Sequence, residues 1–221
     1  MKTNTQLAQD VIRELEWEPA LDATRLKVSE DDGIVTLDGH VRSFWEKDVA
    51  VEAAQRVTGV RAVADQIQID LPAASQRGDA ALARAVANAL EWNAAVPDES
   101  LSVRVQDGWV TLSGNVDWQY QKAAAEQAVR PLVGVRGLIS DITVTPRAHV
   151  SQVKEQIDAA LRRYAELDAD RVRVETHDGD VTLRGAVRSW PERRQIERAA
   201  WAAPGVSHVT NEIVVAPSTD V

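Results

Sequence analysis

Apolar residues recur along the chain in two alternating rhythms, one of period near four and one of period two. Leu7, Val11 and Leu15 stand at i, i+4 and i+8, the spacing of one helix face. Leu26 and Val28 follow at the spacing of a strand, and in the next segment Val35, Leu37 and Val41 alternate with Thr36, Asp38 and His40. Ala50, Ala53, Ala54 and Val57 then give a second helix with a small-residue face. Ile67 and Ile69 close the series as a last strand, whose Gln66, Gln68 and Asp70 share the polar side of the middle strand.

The series is written three times. Leu82, Val86 and Leu90, then Val153, Ile157 and Leu161, repeat the first stripe, and Ala125, Ala128, Val129, Leu132 and Ile196, Ala199, Ala200, Ala203 repeat the fourth. Between them the phrase DGIVTLDGHV returns as DGWVTLSGNV and DGDVTLRGAV. Its first glycines, Gly33, Gly108 and Gly179, are 75 and 71 residues apart, and the difference falls in the linkers LPAASQRG and TPRAH. The expected units are therefore 1–72, 73–146 and 147–221.

A strand that alternates apolar and polar has one buried face and one wet face, so both helices must cover the same side. The expected fold is α+β: three tandem α-β-β-α-β units, each a small mixed three-stranded sheet with two helices on one face. At ~70 residues each core is close to the size of marginal stability. The Asp-Gly pairs fit hairpin turns that need positive φ. Gly59, Gly134 and Gly205 follow the second helices, where glycine ends a helix in the left-handed conformation. Gly39, Gly114 and Gly185 fall at inward strand positions, where a side chain is expected to collide with the alanine face of the covering helix. Ser43 with Glu46 and Ser189 with Glu192 form capping boxes, with Pro191 in the first turn.

The order helix, DGxVTLxGxVxS, Ala-rich helix, GVxxVxNxI resembles the BON (bacterial OsmY and nodulation) domain. The matching residues are Gly33, Leu37, Gly39, Val41, Ser43, Gly59, Val60 and Val63 in unit one. In unit three they are Gly179, Leu183, Gly185, Val187, Ser189, Gly205, Val206, Val209 and Asn211. Trp118 replaces the serine in unit two, and Asp65 and Ser140 replace the asparagine. The resemblance implies a non-enzymatic unit of osmotic-shock and envelope-maintenance proteins that binds phospholipid surfaces or small ligands. Two rivals stand beside it: the wet sheet faces and edge strands of three rigid units suit a protein-protein adaptor or chaperone-like scaffold, and the resemblance also implies a potassium- or cation-responsive sensor using the acidic turns.

Charge and chemistry narrow this further. A net charge of −9 leaves no general basic face for nucleic acid. No cysteine is present, and His40, His149, His177 and His208 have no metal-site spacing, so neither a metal nor a cofactor is expected. Nucleophile-elbow, P-loop and dinucleotide motifs are missing, which argues against an enzyme. No apolar run reaches the ~20 residues of a membrane span. As written the chain reads as cytoplasmic, or as periplasmic if an export signal has been cut away.

Seven tryptophans against one phenylalanine and two tyrosines is an aromatic mix that the fold does not explain. Trp17 and Trp92 occupy equivalent ends of the first helices and are expected to pack. Phe44, Trp45, Trp118, Tyr120 and Trp190 crowd the start of the second helices, either as a staple or as an exposed rim. Unit one carries 8 basic against 14 acidic residues, unit two 6 against 8, and unit three 11 against 12. Arg188, Arg194 and Arg198 with Trp190 and Trp201 therefore form the expected contact with an anionic phospholipid surface or a protein partner. Trp201, opposite the Ile196–Ala203 stripe, is expected to be exposed among arginines.

Overall fold

In a computed structural model of the chain, the residues described are 4–73, 77–145, 157, 159, 172–177 and 179–216. Unit one runs α1 (Asn4–Trp17), β1 (Leu26–Asp31), β2 (Ile34–Val41), α2 (Phe44–Arg56) and β3 (Ala62–Ile69). Unit two repeats it as α3 (Asp79–Glu91), β4 (Leu101–Gln106), β5 (Trp109–Val116), α4 (Gln119–Val129) and β6 (Gly137–Val144). Unit three supplies β7 (Val172–His177), β8 (Asp180–Val187), α5 (Trp190–Trp201) and β9 (His208–Val215). The first helix expected in unit three rests on Val153 and Leu161, which lie outside the described residues, and on Ile157, which is fully buried.

Each sheet is mixed. β2 lies centrally, antiparallel to β1 and parallel to β3, and units two and three repeat this order and register. Val35, Leu37 and Val41 are buried beneath the helices with Leu7, Val11, Leu15, Ala50, Ala53 and Ala54. Their counterparts form two further cores, one per unit, so the helices do cover one face. Among the described residues, no helix covers the opposite face of any of the three sheets.

The hairpin turns behave as the Asp-Gly pairs suggest. Asp32 and Gly33 have φ of 47° and 81°, and Asp107 and Gly108 have 52° and 80°, both central residues positive as the right-handed twist of the flanking strands favours. A carboxylate braces each of these two turns, but from different elements. Glu30 of β1 accepts from the Gly33 N–H, whereas Asp79 of α3 accepts from Asp107 at 2.8 Å and Gly108 at 3.0 Å.

One expectation about glycine is corrected. A Cβ on Gly39 or Gly114 would strike the carbonyl oxygen of Arg25 or Ser100, just before the neighbouring strand, and not a helix. Their φ values of 129° and 140° also exclude ordinary side chains. The glycine is needed by the backbone of its own sheet.

The second helices are pinned at both ends of their first turn. Ser43 and Ser189 accept from the N–H of Glu46 and Glu192, and those glutamates reach back to Arg42 and Arg188. Where Trp118 replaces the serine, Gln121 Oε1 still accepts from Asp117 and Trp118, both at 3.0 Å. A cation one residue after each glutamate position then ties helix to sheet: Lys47 to the Ile67 carbonyl, Lys122 to Ile142, Arg193 to Ile213.

Candidate interaction surface

The five residues expected to form a contact patch in unit three stand in different surroundings. Arg188 and Arg198 are exposed, but Trp190, Arg194 and Trp201 are partly buried. Trp190 packs on the unit-three core, with the Arg193 guanidinium 5.4 Å from its ring centroid. Arg194 donates to Gln55 Oε1 of unit one at 3.0 Å. Trp201 touches both the unit-three core and the unit-two core, so its expected exposure is overturned. A helix wheel sees only the core of its own unit; the neighbouring unit covers the other side.

These contacts have an order that the sequence repeat makes visible. Gln55, Arg130 and Trp201 are equivalent positions late in the second helices, and Asp48, Ala123 and Arg194 are equivalent positions two turns earlier. Arg130 pairs with Asp48, Gln55 bonds Arg194, and Trp201 packs on the core that contains Ala125 and Val129. Unit two thus leans on unit one, unit one on unit three, and unit three on unit two. A head-to-tail contact that returns to its start after three steps is a closed ring. Phe44, beside Asp48 on α2, adds its ring to the unit-two core. The three contacts differ in chemistry, an ion pair, a hydrogen bond to a carboxamide and an indole, which is why no shared motif announced them.

What remains outside is aromatic. Trp17 is 86% exposed and Trp92 85%, against the expectation that they pack. Both follow the last buried leucine of their helix, Leu15 or Leu90, by two residues and so point away from it. Trp45, Trp118 and Tyr120 are exposed as well, so the aromatic start of the second helix is split between rim and core. Trp109 lies half-exposed on the open sheet face of unit two.

Polar chemistry is sparse by comparison. Asp32 of the first acidic turn is paired with Arg61 at 3.2 Å, and among the described residues no three acidic or histidine side chains gather to hold a metal. His40 pairs with Asp70 at 3.0 Å on the open face, while His177 and His208 are exposed strand residues and His149 lies outside the described residues. A recess of about 350 Å³ lies between Arg77, Asp79, Asp107 and Arg136, with the Asp79 carboxylate already held by the turn.

Helix, DG hairpin, small-faced helix and returning parallel strand are the BON arrangement, and the BON domain family model matches residues 3–70, 78–146 and 149–217. The chain belongs to the BON domain family. It is 33% identical over 124 residues to the osmotically-inducible protein Y of Escherichia coli (strain K12), an alignment covering 54% of this chain and 62% of that protein. The match thus spans less than two thirds of the relative. The chain is also similar to two solved structures of CdsD, a structural protein of the type III secretion system of Chlamydia trachomatis. One is 18% identical over 96% of this chain and 93% of its own, with a TM-score of 0.28. The other, the C-terminal domain, is 17% identical over 98% and 100%, with a TM-score of 0.27. Among the described residues no helix is long and apolar enough to cross a membrane.

Proposed function

We propose that this chain is a non-enzymatic, osmotic-stress-associated binding protein whose three BON units act as one body and attach to a phospholipid surface through Trp17 and Trp92. The BON assignment and the osmotically-inducible relative support the stress association. The observation that carries the attachment is the pair of indoles, equivalent in sequence and almost equally exposed. We place them at one height along the axis of the ring by their sequence equivalence, so that a flat surface meets both at once. An amphipathic indole is favoured at the boundary between headgroup and acyl chain.

The charge preference shifts from the one read in unit three. Glu16 precedes Trp17 and Glu91 precedes Trp92, while Glu14 and Glu18 are neutralised by Arg56 at 2.9 and 3.0 Å, so a zwitterionic headgroup suits the site better than an anionic one. Co-sedimentation with phosphatidylcholine vesicles tests this. The chain should pellet with them, more weakly with phosphatidylglycerol, and Trp17→Ala with Trp92→Ala should stay in solution. Equal pelleting of that double variant would refute the attachment.

A protein-protein scaffold is the second reading, favoured by the closed ring, which fixes three open sheet faces in one arrangement. No pelleting with either vesicle would leave it ahead.

A further inference from the structure

The open sheet face of unit two differs from the other two in a way that no fold requirement explains. Trp109 on β5 pairs across the parallel register with Gly137 on β6, and its indole fills the space that a Cβ at 137 would need. The ring therefore lies flat on the sheet backbone with one face against Gly137, and it is 50% exposed. Units one and three carry Ile34 with Ala62 and Asp180 with His208 at the same pair. Ile139 continues the apolar surface beside the ring, and Thr111 between them is nearly covered.

Beyond this platform the face is polar and uncharged in sum. Ser102, Arg104, Ser113, Asn115, Asp141 and Thr143 point outward, with Arg104 and Asp141 on opposite edge strands. Both are exposed, and the short Ser113 between the two edges cannot bridge them.

We infer that this face binds a neutral oligosaccharide, with a sugar ring stacked on Trp109 and its neighbours hydrogen-bonded by Arg104, Asn115, Ser113 and Asp141. A flat, immobilised π-surface takes the C–H face of a pyranose with little ordering cost, because the ring is already held. Arg and Asp on one face offer donors and acceptors to hydroxyl groups without selecting a net charge. Three strands ~4.8 Å apart and eight residues at ~3.3 Å give a face of roughly 400 Å². That is about half of the ~800 Å² per partner of a stable protein interface, which favours a small ligand over a second copy of the chain.

Native gels containing hydroxyethyl cellulose, glycogen or glycol chitin test the assignment with the full chain. At least one of these should retard the wild type, and Trp109→Ala should reduce the apparent affinity ~10-fold or more, as loss of a planar stacking contact commonly does. Gly137→Ala keeps the indole but lifts it from the sheet and should give the same loss, with circular dichroism confirming that both variants are folded. Trp17→Ala with Trp92→Ala should be retarded like the wild type, which separates this site from the vesicle contact. Failure of all three polysaccharides to retard the chain would overturn the assignment, as would undiminished retardation of Trp109→Ala. A wild-type dimer in sedimentation equilibrium that Trp109→Ala dissociates would give the face to a second copy instead.

Discussion

The open sheet faces of units two and three share one backbone register and end in opposite states. In unit three Arg184 stands at the centre of the face and bonds Glu175 at 3.1 Å on one edge strand and Glu212 at 2.7 Å on the other. The hydrogen bond to Glu212 and the charge of Glu175 raise the Arg184 pKa above its ordinary value. In unit two the equivalent central residue is Ser113, and the equivalent edge residues are Arg104 and Asp141. Unit three pairs this trio of charges internally, while unit two leaves Arg104 and Asp141 to whatever meets the face. The central residue and one edge partner together, Arg184 with Glu175 against Ser113 with Arg104, decide between a closed polar surface and an available one.

The comparison breaks most severely if the backbone of unit two is lost. Gly114→Val places a branched side chain against the Ser100 carbonyl at a φ of 140°. Strain and overpacking together should cost ~2–4 kcal/mol. Differential scanning calorimetry should show unit two melting ahead of the rest, and a single unshifted transition would contradict the clash.

Next in size is the joint between the two units. Trp201→Ala removes an indole shared by two cores and should cost ~2–3 kcal/mol, at the low end for a large aromatic because the side chain is only partly buried. The radius of gyration from small-angle scattering should rise as the ring opens, while retardation by polysaccharide stays unchanged because Trp109 is untouched. No change in scattering would mean that Arg130 with Asp48 and Arg194 with Gln55 hold the ring without it.

These two cases mark the limit of what the chain's pattern could reveal. The alternation Val35-Thr36-Leu37 and the stripe Leu7-Val11-Leu15 state which side is inside, because burial within a unit is a local periodic property. The repeat also marks which glycines matter but not why: strand alternation reports which way a Cβ at Gly39 or Gly114 would point, and not that the carbonyl just before the neighbouring strand already fills the space. Trp201 misled for a related reason. Its helix face is outer with respect to unit three, and nothing in a single-unit period encodes a neighbour. Trp17 and Trp92 misled in reverse, since large aromatic residues at a helix end are more often packed than exposed. Trp109 carries no signal within a single unit, although its pairing with Gly137 follows from the shared register of the DG phrase and the last strand. The signal lies in the wet positions compared across the three copies, where Trp109 stands against Ile34 and Asp180.

The smallest expected effect on stability is also the most direct test of the contrast between the faces. Ser113→Arg with Arg104→Glu gives unit two the central guanidinium of unit three, with a carboxylate at position 104 on one edge and that of Asp141 on the other to receive it. An exposed ion-pair ladder is worth only ~0–1 kcal/mol, so the melting temperature should barely move, and any gain should fade in high salt. Retardation by polysaccharide should nonetheless fall, because the donors and acceptors beside Trp109 would now be spent on one another. Trp109 and Gly137 remain in place in this variant. Loss of retention would therefore show that the indole alone does not suffice and that unpaired polar groups complete the site. Full retention would show that stacking on Trp109 carries the binding, and that the difference between Ser113 and Arg184 concerns only how each sheet face meets water.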